Sequence, residues 1–314
     1  MEFPGKIVSS ADLLQEMGIS RQSVWKTIEL LKEEGFRIES IPHKGYCLSA
    51  VENDIAPSWI AINTEGEKNW GRNVYFFDTT DSTQKIAKGL ARKHCMDGTI
   101  VVSEQQTKGR GRIDREWFSP PGKNLYMSVI FFPNLTPPML QLVNLAAGVA
   151  VLSAIWETCG LKCSLKWPND VICHDQKICG ILSEASIESD RIHFVATGIG
   201  VNVNINAADF PQGVKAASLM NLTNIKTDRG KLASKIVSDL SHHLMALEVN
   251  GSDALLKIYK NNCSTLGRNI QIITGCQTYA GKAIGLTHRG EIIVMTEEGE
   301  MVFSAADVIH APNK

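Results

Sequence analysis

The sequence predicts an α+β protein in three parts, and three observations carry that reading. Residues 9 to 48 read helix, turn, helix, hairpin; the middle of the chain mixes strand and helix signals in irregular order; and from Ser264 onward short β segments are broken by Gly267, Gly275, Gly281, Gly285, Gly290 and Gly299. Irregular mixing argues for a mixed sheet with helices packed on it. At 314 residues the chain also exceeds what one core usually holds, so two or three domains are expected.

In the first part, Ser10 is placed to cap a helix that runs through Met17 and ends at Gly18. Ser20 is placed to cap a second, whose apolar Val24, Ile28 and Leu31 share one face before Gly35 stops it. Phe36 and Ile38 then alternate with Arg37 and Glu39, and residues 42 to 45 (Pro-His-Lys-Gly) turn the strand back into Tyr46 to Leu48. This is a winged helix-turn-helix pattern. The second helix would enter the major groove of operator DNA with Arg21, Gln22, Ser23 and Lys26, and Lys44 on the wing would meet the backbone. Residues 1 to 50 nevertheless hold six Lys/Arg against seven Asp/Glu, a weak electrostatic footprint, so a regulatory or docking module without DNA contact is the alternative.

Residues 50 to 66, with Pro57, read as a polar linker. Beyond about Asn69, strand signals fall at Val74 to Phe77, Thr99 to Ser103, Leu125 to Phe132, Cys163 to Trp167, Val171 to Cys173, Ile178 to Leu182 and His193 to Ile205. Helix signals fall near 82 to 94, 139 to 159, 229 to 249 and 253 to 262. No strand-GxxxxGK[ST]-helix segment occurs, which argues against a P-loop ATPase. The glycine-punctuated end reads as a small all-β barrel.

Composition bounds the function only loosely. A hydrophobic content of 44% and a formal charge of −1 are ordinary for a globular chain, and any nucleic-acid binding must come from a local patch. We expect no apolar run near the ~18 residues of a membrane span and no signal-peptide pattern, hence no membrane association and a cytoplasmic protein. Eight cysteines at 47, 95, 159, 163, 173, 179, 263 and 276 form no CxxC pair and have no histidine at zinc spacing; they are expected to be reduced and mostly buried.

Residues 104 to 129 are the most informative segment. Gly109, Arg110, Gly111 and Arg112, with Arg115, occupy one loop that runs through Trp117, Ser119 and Pro120 into an apolar strand. Glycine admits close backbone approach and guanidinium grips oxygens bidentately, so the loop suits an anionic, phosphate-bearing species. Taken alone, it suits a solvated hairpin tip or a nucleic-acid patch equally well.

Read together with Asp-Ser-Thr-Gln at 81 to 84, Lys-Trp-Pro-Asn-Asp at 166 to 170, Lys177 before an Ile-Cys-Gly-Ile-Leu run, and Gly-Ile-Gly-Val-Asn-Val-Asn at 198 to 204, this loop resembles biotin-protein ligases in order and spacing. The resemblance covers roughly residues 75 to 310, and the first 50 residues look like the DNA-binding module of the repressor-type members. Members usually carry one more helix before the position of Lys6, where this chain has five residues. The resemblance implies a winged helix-turn-helix and linker at 1 to 66, a mixed-sheet, class II synthetase-like ligase domain at 67 to 263, and an SH3-like β-barrel at 264 to 314.

It further implies an ATP-dependent ligase that makes biotinyl-5'-AMP and passes biotin to a lysine of a biotin carboxyl carrier protein, joined to a biotin-responsive repressor that acts as a homodimer. Biotin would be held by Ser82, Thr83, Gln106, Gly109, Arg110, Arg112 and Lys177. ATP and the adenylate would be held by Arg112, Arg115, Lys166, Lys177 and Asn202, and the catalytic groups would be Lys177, Arg112 and Asp170. Asp170 is also the candidate for Mg²⁺, although that ion is usually held largely by substrate phosphates. Trp117 is expected either to close the site over the apolar rings or to be a core tryptophan. Other readings are a ligase without DNA binding, a lipoate-type ligase with the same adenylation logic, and a non-catalytic biotin-sensing repressor.

Overall fold

A computed structural model describes residues 5–66, 70–113, 115–188, 190–275, 277–304 and 306–310. The start of the central part at 67 to 69, and Cys276, lie outside the described residues.

The N-terminal module comprises β1 (Ile7–Val8), α1 (Ser10–Met17), α2 (Arg21–Glu33), β2 (Phe36–Ile41) and β3 (Gly45–Val51), with a sheet ordered β1-β3-β2. Its caps are close to those expected. Ser20 Oγ accepts from the Ser23 N–H at 3.2 Å, and Gly18 takes the left-handed conformation (φ 61°) that ends α1. The cap of α1 is Ser9, one residue earlier than expected, which accepts from Asp12 N–H at 3.0 Å. Val24, Ile28 and Phe36 form the small core.

The expected polar linker is a helix. Pro57–Asn63 form α3, with proline in its first turn, and Ile55, Ala56 and Ile60 are fully buried against the central part. Ile55, Ala56, Trp59 and Ile60 form an apolar run too short for periodicity to register, and its burial comes from tertiary partners.

The central part adds β4 (Val74–Thr80), α4 (Thr83–Ala91), β5 (Thr99–Gln106), β6 (Leu125–Phe131), α5 (Leu140–Cys159), β7 (Ser164–Lys166), β8 (Asp170–Cys173), β9 (Gln176–Glu188), β10 (Arg191–Val201), α6 (Leu219–Thr223), α7 (Arg229–Asn250) and α8 (Asp253–Asn262). One seven-stranded sheet runs β4-β5-β6-β10-β9-β8-β7, parallel only between β4 and β5, which makes it the mixed sheet expected.

Strand alternation sends Val102, Val129, Val195 and Ile199 toward α5 and α7, and Val101, Ile130, Phe194 and Ala196 toward α4. On the α4 face the same alternation places Tyr126, Ser128, Gly198 and Gly200, with Gly180 directly across from Gly200. These residues floor the site.

The absence of a membrane-length apolar segment is not borne out by composition. The helical stretch Pro137–Cys159 has 23 residues and a mean hydropathy of 1.8. Its burial explains it: Leu142, Leu145, Ala146, Ala150 and Ile155 are covered by the sheet, α7 and the C-terminal part, so it is apolar all round as a core helix must be. Cysteine burial is also less complete than expected, with Cys163, Cys173 and Cys179 buried and Cys47, Cys95, Cys159 and Cys263 only partly so; all seven are free.

The last part is an antiparallel sheet, β14-β13-β12-β11-β15, built from β11 (Asn269–Thr274), β12 (Gln277–Leu286), β13 (Ile292–Thr296), β14 (Gly299–Phe303) and β15 (Asp307–His310). It forms the expected C-terminal β unit. It packs on the central core: Gly290 sits so close to α5 that a Cβ there would lie 2.7 Å from Leu145, and its carbonyl accepts from Trp167 Nε1 at 3.0 Å.

Candidate active site

A cavity of about 540 Å³ opens over the glycine floor. It is bounded by the start of α4, the loop 106–118, the β7–β8 turn, the segment 210–216 and the edge of β15. Every residue assigned above to biotin or nucleotide lines it except Gly109, which lies behind the wall.

At one end the buried Ser82 and Thr83 begin α4. Ser82 makes no capping bond. The cap is Gln106 instead, whose Oε1 accepts from the Thr83 N–H at 2.9 Å and from the Thr83 hydroxyl at 3.1 Å, while its Nε2 donates to Ser119 Oγ at 3.2 Å. Ser128, buried beneath, donates to Thr83 Oγ1 at 3.0 Å or to Gln84 Oε1 at the same distance. Gln84 in turn bridges the carbonyls of Ala196 and Leu182 at 2.7 and 3.2 Å. A fixed polar cluster at the end of a largely apolar slot is what a neutral ring with a few polar atoms requires.

Gly109 is needed for the folding of the loop. A Cβ there would lie 2.5 Å from the Trp117 carbonyl oxygen and 2.6 Å from Ser119 Oγ, and its own carbonyl accepts from Trp117 N–H at 2.9 Å. Arg110 is exposed and pairs along the backbone with Glu116. Arg112 turns inward and donates to Asn169 Oδ1 at 3.3 Å; burial pushes its pKa down, with Asp307 and Asp170 opposing the shift. Arg115, expected on the phosphates, forms an ion pair with Asp307 of β15 and so latches the loop to the C-terminal unit.

Trp117 lies flat on the floor. Cβ atoms at Gly200 and Gly180 would come within 2.6 and 2.9 Å of its ring, and its buried Nε1 has no hydrogen-bond partner. Lys177 Nζ stands 5.3 Å from the centre of that ring, within cation–π reach, and 2.7 Å from Asp170 Oδ1. The latter is an ion pair without hydrogen-bond alignment. Lys166 is directly across the hairpin from Asp170; burial pushes its pKa down, Asp170 pulls it up, and Lys177 adds repulsion.

Asn202, expected on adenine, is buried and donates through Nδ2 to the Lys177 carbonyl at 3.2 Å, so it braces the strand that carries Lys177. The structure thus collects three cations, Arg112, Lys166 and Lys177, on one wall, with Lys215 nearby. Sequence reasoning missed Gln84, Ser128, Asp307 and Lys215. Gln84 adjoins the Asp-Ser-Thr motif and was within reach of it; Asp307 and Lys215 carry no local signal, because only tertiary folding brings them in.

The residues expected to contact DNA lie elsewhere. Arg21, Gln22, Ser23 and Lys26 are all exposed on α2 and Lys44 is exposed at the wing, although the Ser23 hydroxyl is engaged with Ser20 Oγ at 3.0 Å.

Comparison with known proteins agrees with this geometry. Residues 76–202 match the biotin/lipoate A/B protein ligase family, residues 3–47 a helix-turn-helix domain, and residues 265–311 the biotin protein ligase C-terminal domain. The chain is 33% identical over 305 residues to the bifunctional ligase/repressor BirA of Bacillus subtilis, covering 96% of this chain and 94% of that one. To the BirA of Escherichia coli it is 25% identical over 290 residues, covering 92% and 88%. A biotin protein ligase from Aquifex aeolicus, solved in complex with biotin and ATP, superposes with a TM-score of 0.66 at 29% identity and covers 76% of this chain and all of that one. One-third identity along nearly the full length, with all three parts in the same order, means that the chain belongs to the biotin protein ligase family, on the branch of the bifunctional ligase/repressors.

Proposed function

We propose that the protein activates biotin with ATP to biotinyl-5'-AMP, transfers it to one lysine of a biotin carboxyl carrier protein, and represses transcription as a homodimer on operator DNA. The observation that carries the ligase reading is the meeting of Arg112, Lys166 and Lys177 beside an apolar slot whose far end is the Ser82–Thr83–Gln106 cluster. The boundaries that go with this reading are residues 1–66, 67–263 and 264–314, in a cytoplasmic protein.

In the first step the biotin carboxylate oxygen attacks the α-phosphorus and pyrophosphate leaves. Two anions must approach, so fixed positive charge at the reacting phosphate is the main requirement. Lys177 and Arg112 supply it, and Lys166 adds charge from the opposite strand. The polar cluster orients the biotin ring, and Trp117 closes the floor over the apolar part. Arg115 ties the arginine-rich loop to β15 through Asp307 more directly than it serves the phosphates.

A divalent cation fits this wall only as a companion of the nucleotide. Among the described residues no three His, Cys, Asp or Glu side chains converge as metal ligands, and Asp170 is already paired with Lys177. Mg²⁺ would therefore arrive with the ATP phosphates, and Asp170 would join it only where Lys177 has turned away to the nucleotide.

In the second step an acceptor lysine attacks the acyl carbon and AMP leaves. A free lysine of pKa about 10.4 is neutral in roughly one molecule in a few thousand at pH 7. Asp170 is placed to hold the incoming ammonium and take its proton once Lys177 has turned to the phosphate. The test is direct: with biotin, ATP-Mg²⁺ and a biotin carboxyl carrier domain, one lysine of the carrier should gain the mass of a biotinyl group. No gain with biotin, and gain with lipoate, would overturn the reading.

A further inference from the structure

Outside the cavity, a dense set of hydrogen bonds and ion pairs gathers at the start of α7. Arg229 is buried there, and its guanidinium is shared between two carboxylates from distant parts of the chain. Nη1 and Nη2 donate to the two oxygens of Glu104 at 2.8 Å each, Nε donates to Asp54 Oδ1 at 2.9 Å, and Nη1 also reaches the Asn124 carbonyl at 3.3 Å. The Arg229 backbone N–H takes the other Asp54 oxygen at 3.0 Å. Only a planar fork makes this set of bonds, so lysine is no substitute.

The two carboxylates have separate addresses. Asp54 lies between β3 and α3, in the segment that joins the N-terminal module to the central sheet. Glu104 lies on β5 two residues before Gln106, and it also accepts from the Gly122 N–H at 3.0 Å, in the turn that follows the arginine-rich loop. Both ends of that loop are thereby referred to Glu104. The flanking residues strengthen the joint: Asp228 accepts from Trp59 Nε1 at 3.1 Å, Thr227 and Asn204 exchange two bonds of 2.9 Å, and a Cβ on Gly230 would lie 2.0 Å from the Asp54 carbonyl oxygen. None of Arg229, Asp54 and Glu104 lines the cavity.

We propose that Arg229 is a positioning residue that fixes β5, which carries Gln106, and both ends of the loop to the segment leading from the N-terminal module, so that loosening the joint at Asp54 weakens biotin binding from outside the cavity. Burial opposes the charge on Arg229, but the hydrogen bonds of Glu104 and Asp54 outweigh it and raise its pKa. Remove the guanidinium, and two largely buried carboxylates face each other unscreened. Substituting Asp54 by asparagine is gentler. Both Asp54 oxygens accept N–H bonds, so an amide nitrogen in either place opposes a donor and the joint is misaligned without loss of volume.

The test uses the full chain and the variants Asp54→Asn, Asp54→Glu and Arg229→Lys. In Asp54→Asn, amide hydrogen exchange across residues 105–122 of the ligand-free protein should quicken by about fivefold or more. The kinetic arm rests on the ligase reading above: KM for biotin should rise about fivefold with kcat within about twofold, and Asp54→Glu should recover part of it. Arg229→Lys should do the same more strongly, and if it fails to fold, Asp54→Asn decides. Faster exchange confined to residues 52–60 and 227–232, with KM unmoved, would make the joint a plain structural staple and overturn the proposal. If the wild-type chain shows no biotin-dependent turnover, the ligase reading fails and the exchange arm alone judges the joint.

Discussion

Lys177 Nζ lies 2.7 Å from Asp170 Oδ1, across a register shift in the β8–β9 hairpin that pairs Ile172 with Lys177. Under the proposed ligase reading the pair holds both groups in reserve: Lys177, proposed for the phosphate, and Asp170, proposed for the acceptor amine, satisfy each other until substrates separate them. A pair this exposed to the cavity adds little to stability.

Lys177→Ala should therefore keep its fold and lose its first step. Biotin-dependent pyrophosphate release is expected to fall by about 10² or more, the usual penalty for removing a transition-state donor. Thermal melting should shift by only a degree or two, since the change is within about 0.5 kcal/mol. Near-normal release would remove Lys177 from the reaction.

Arg112→Gly should still make the adenylate but hold it poorly. Arg112 spans from the loop to Asn169 at 3.3 Å, and Asn169 is itself fixed to the Ile181 carbonyl at 2.8 Å, so the loop loses its tie to the β7–β8 turn when the side chain goes. Escaped adenylate labels bystander lysines, which mass spectrometry detects on an added unrelated protein. Labelling restricted to the carrier, at wild-type speed, would refute this role of Arg112 in retaining the adenylate.

Gly200→Ala probes the floor. A Cβ there would lie 2.6 Å from the Trp117 ring, and Trp117 sits in a loop whereas Gly200 is held in the central sheet between β6 and β9, so the ring should leave before the sheet distorts. Forcing it to stay would cost about 1–3 kcal/mol. We expect an almost unchanged melting temperature and a KM for biotin or ATP raised about tenfold, equivalent to about 1.4 kcal/mol of binding. A pure loss of stability with normal KM would place Trp117 in the core only.

How much of this was legible in the sequence depends on the range of the interactions involved. The Ser20 cap, the Gly18 stop, the Leu125–Phe131 strand and the long helices are written in local chemistry, and the structure has them within a few residues. The cations of the site were legible because they sit inside short motifs. What local chemistry could not carry is who holds whom: Arg115 goes to Asp307, 192 positions away, Gln106 caps α4, and Arg229, unremarkable in sequence, joins residues 175 and 125 positions distant. The α3 helix was missed for the same reason, since its burial against α7 makes its short apolar run meaningful.

On the DNA side, Arg21→Ala and Lys26→Ala should weaken operator binding without altering ligation. Both residues are exposed on α2 and remote from the cavity. With Arg21, Lys26 and Lys44 as the basic groups assigned to DNA in each module, the dependence on salt should be shallow, a release of only a few ions. A gel-shift titration on the protein's own operator, with and without biotin and ATP, reads this; equal affinity for random DNA at low salt would end the repressor role and leave the ligase intact.

Acid should loosen the C-terminal unit through His310. Its Nε2 lies 3.0 Å from Thr265 Oγ1 and its Nδ1 3.5 Å from Arg268 Nη1, so the neutral ring accepts from the arginine and donates to the threonine. Thr265 Oγ1 also accepts from the Trp167 N–H at 3.1 Å, which carries the contact into the turn bearing Asn169 and Asp170. Burial, with Lys166 and Arg268 nearby, pushes the His310 pKa down from 6.5 to about 4. Because the unfolded chain binds this proton more readily, the stabilisation is fully present above pH 6.5 and is lost as pH falls toward 4. His243, half-buried on α7 and also shifted downward by burial, adds to the same slope. The melting temperature should decline through that window, and His310→Gln, whose amide can place a donor near the Nε2 position facing Thr265 but cannot take up a proton, should flatten part of the decline. A variant profile parallel to wild type would show that His310 is protonated without penalty and that the Thr265–Trp167 contact does not depend on its neutral form.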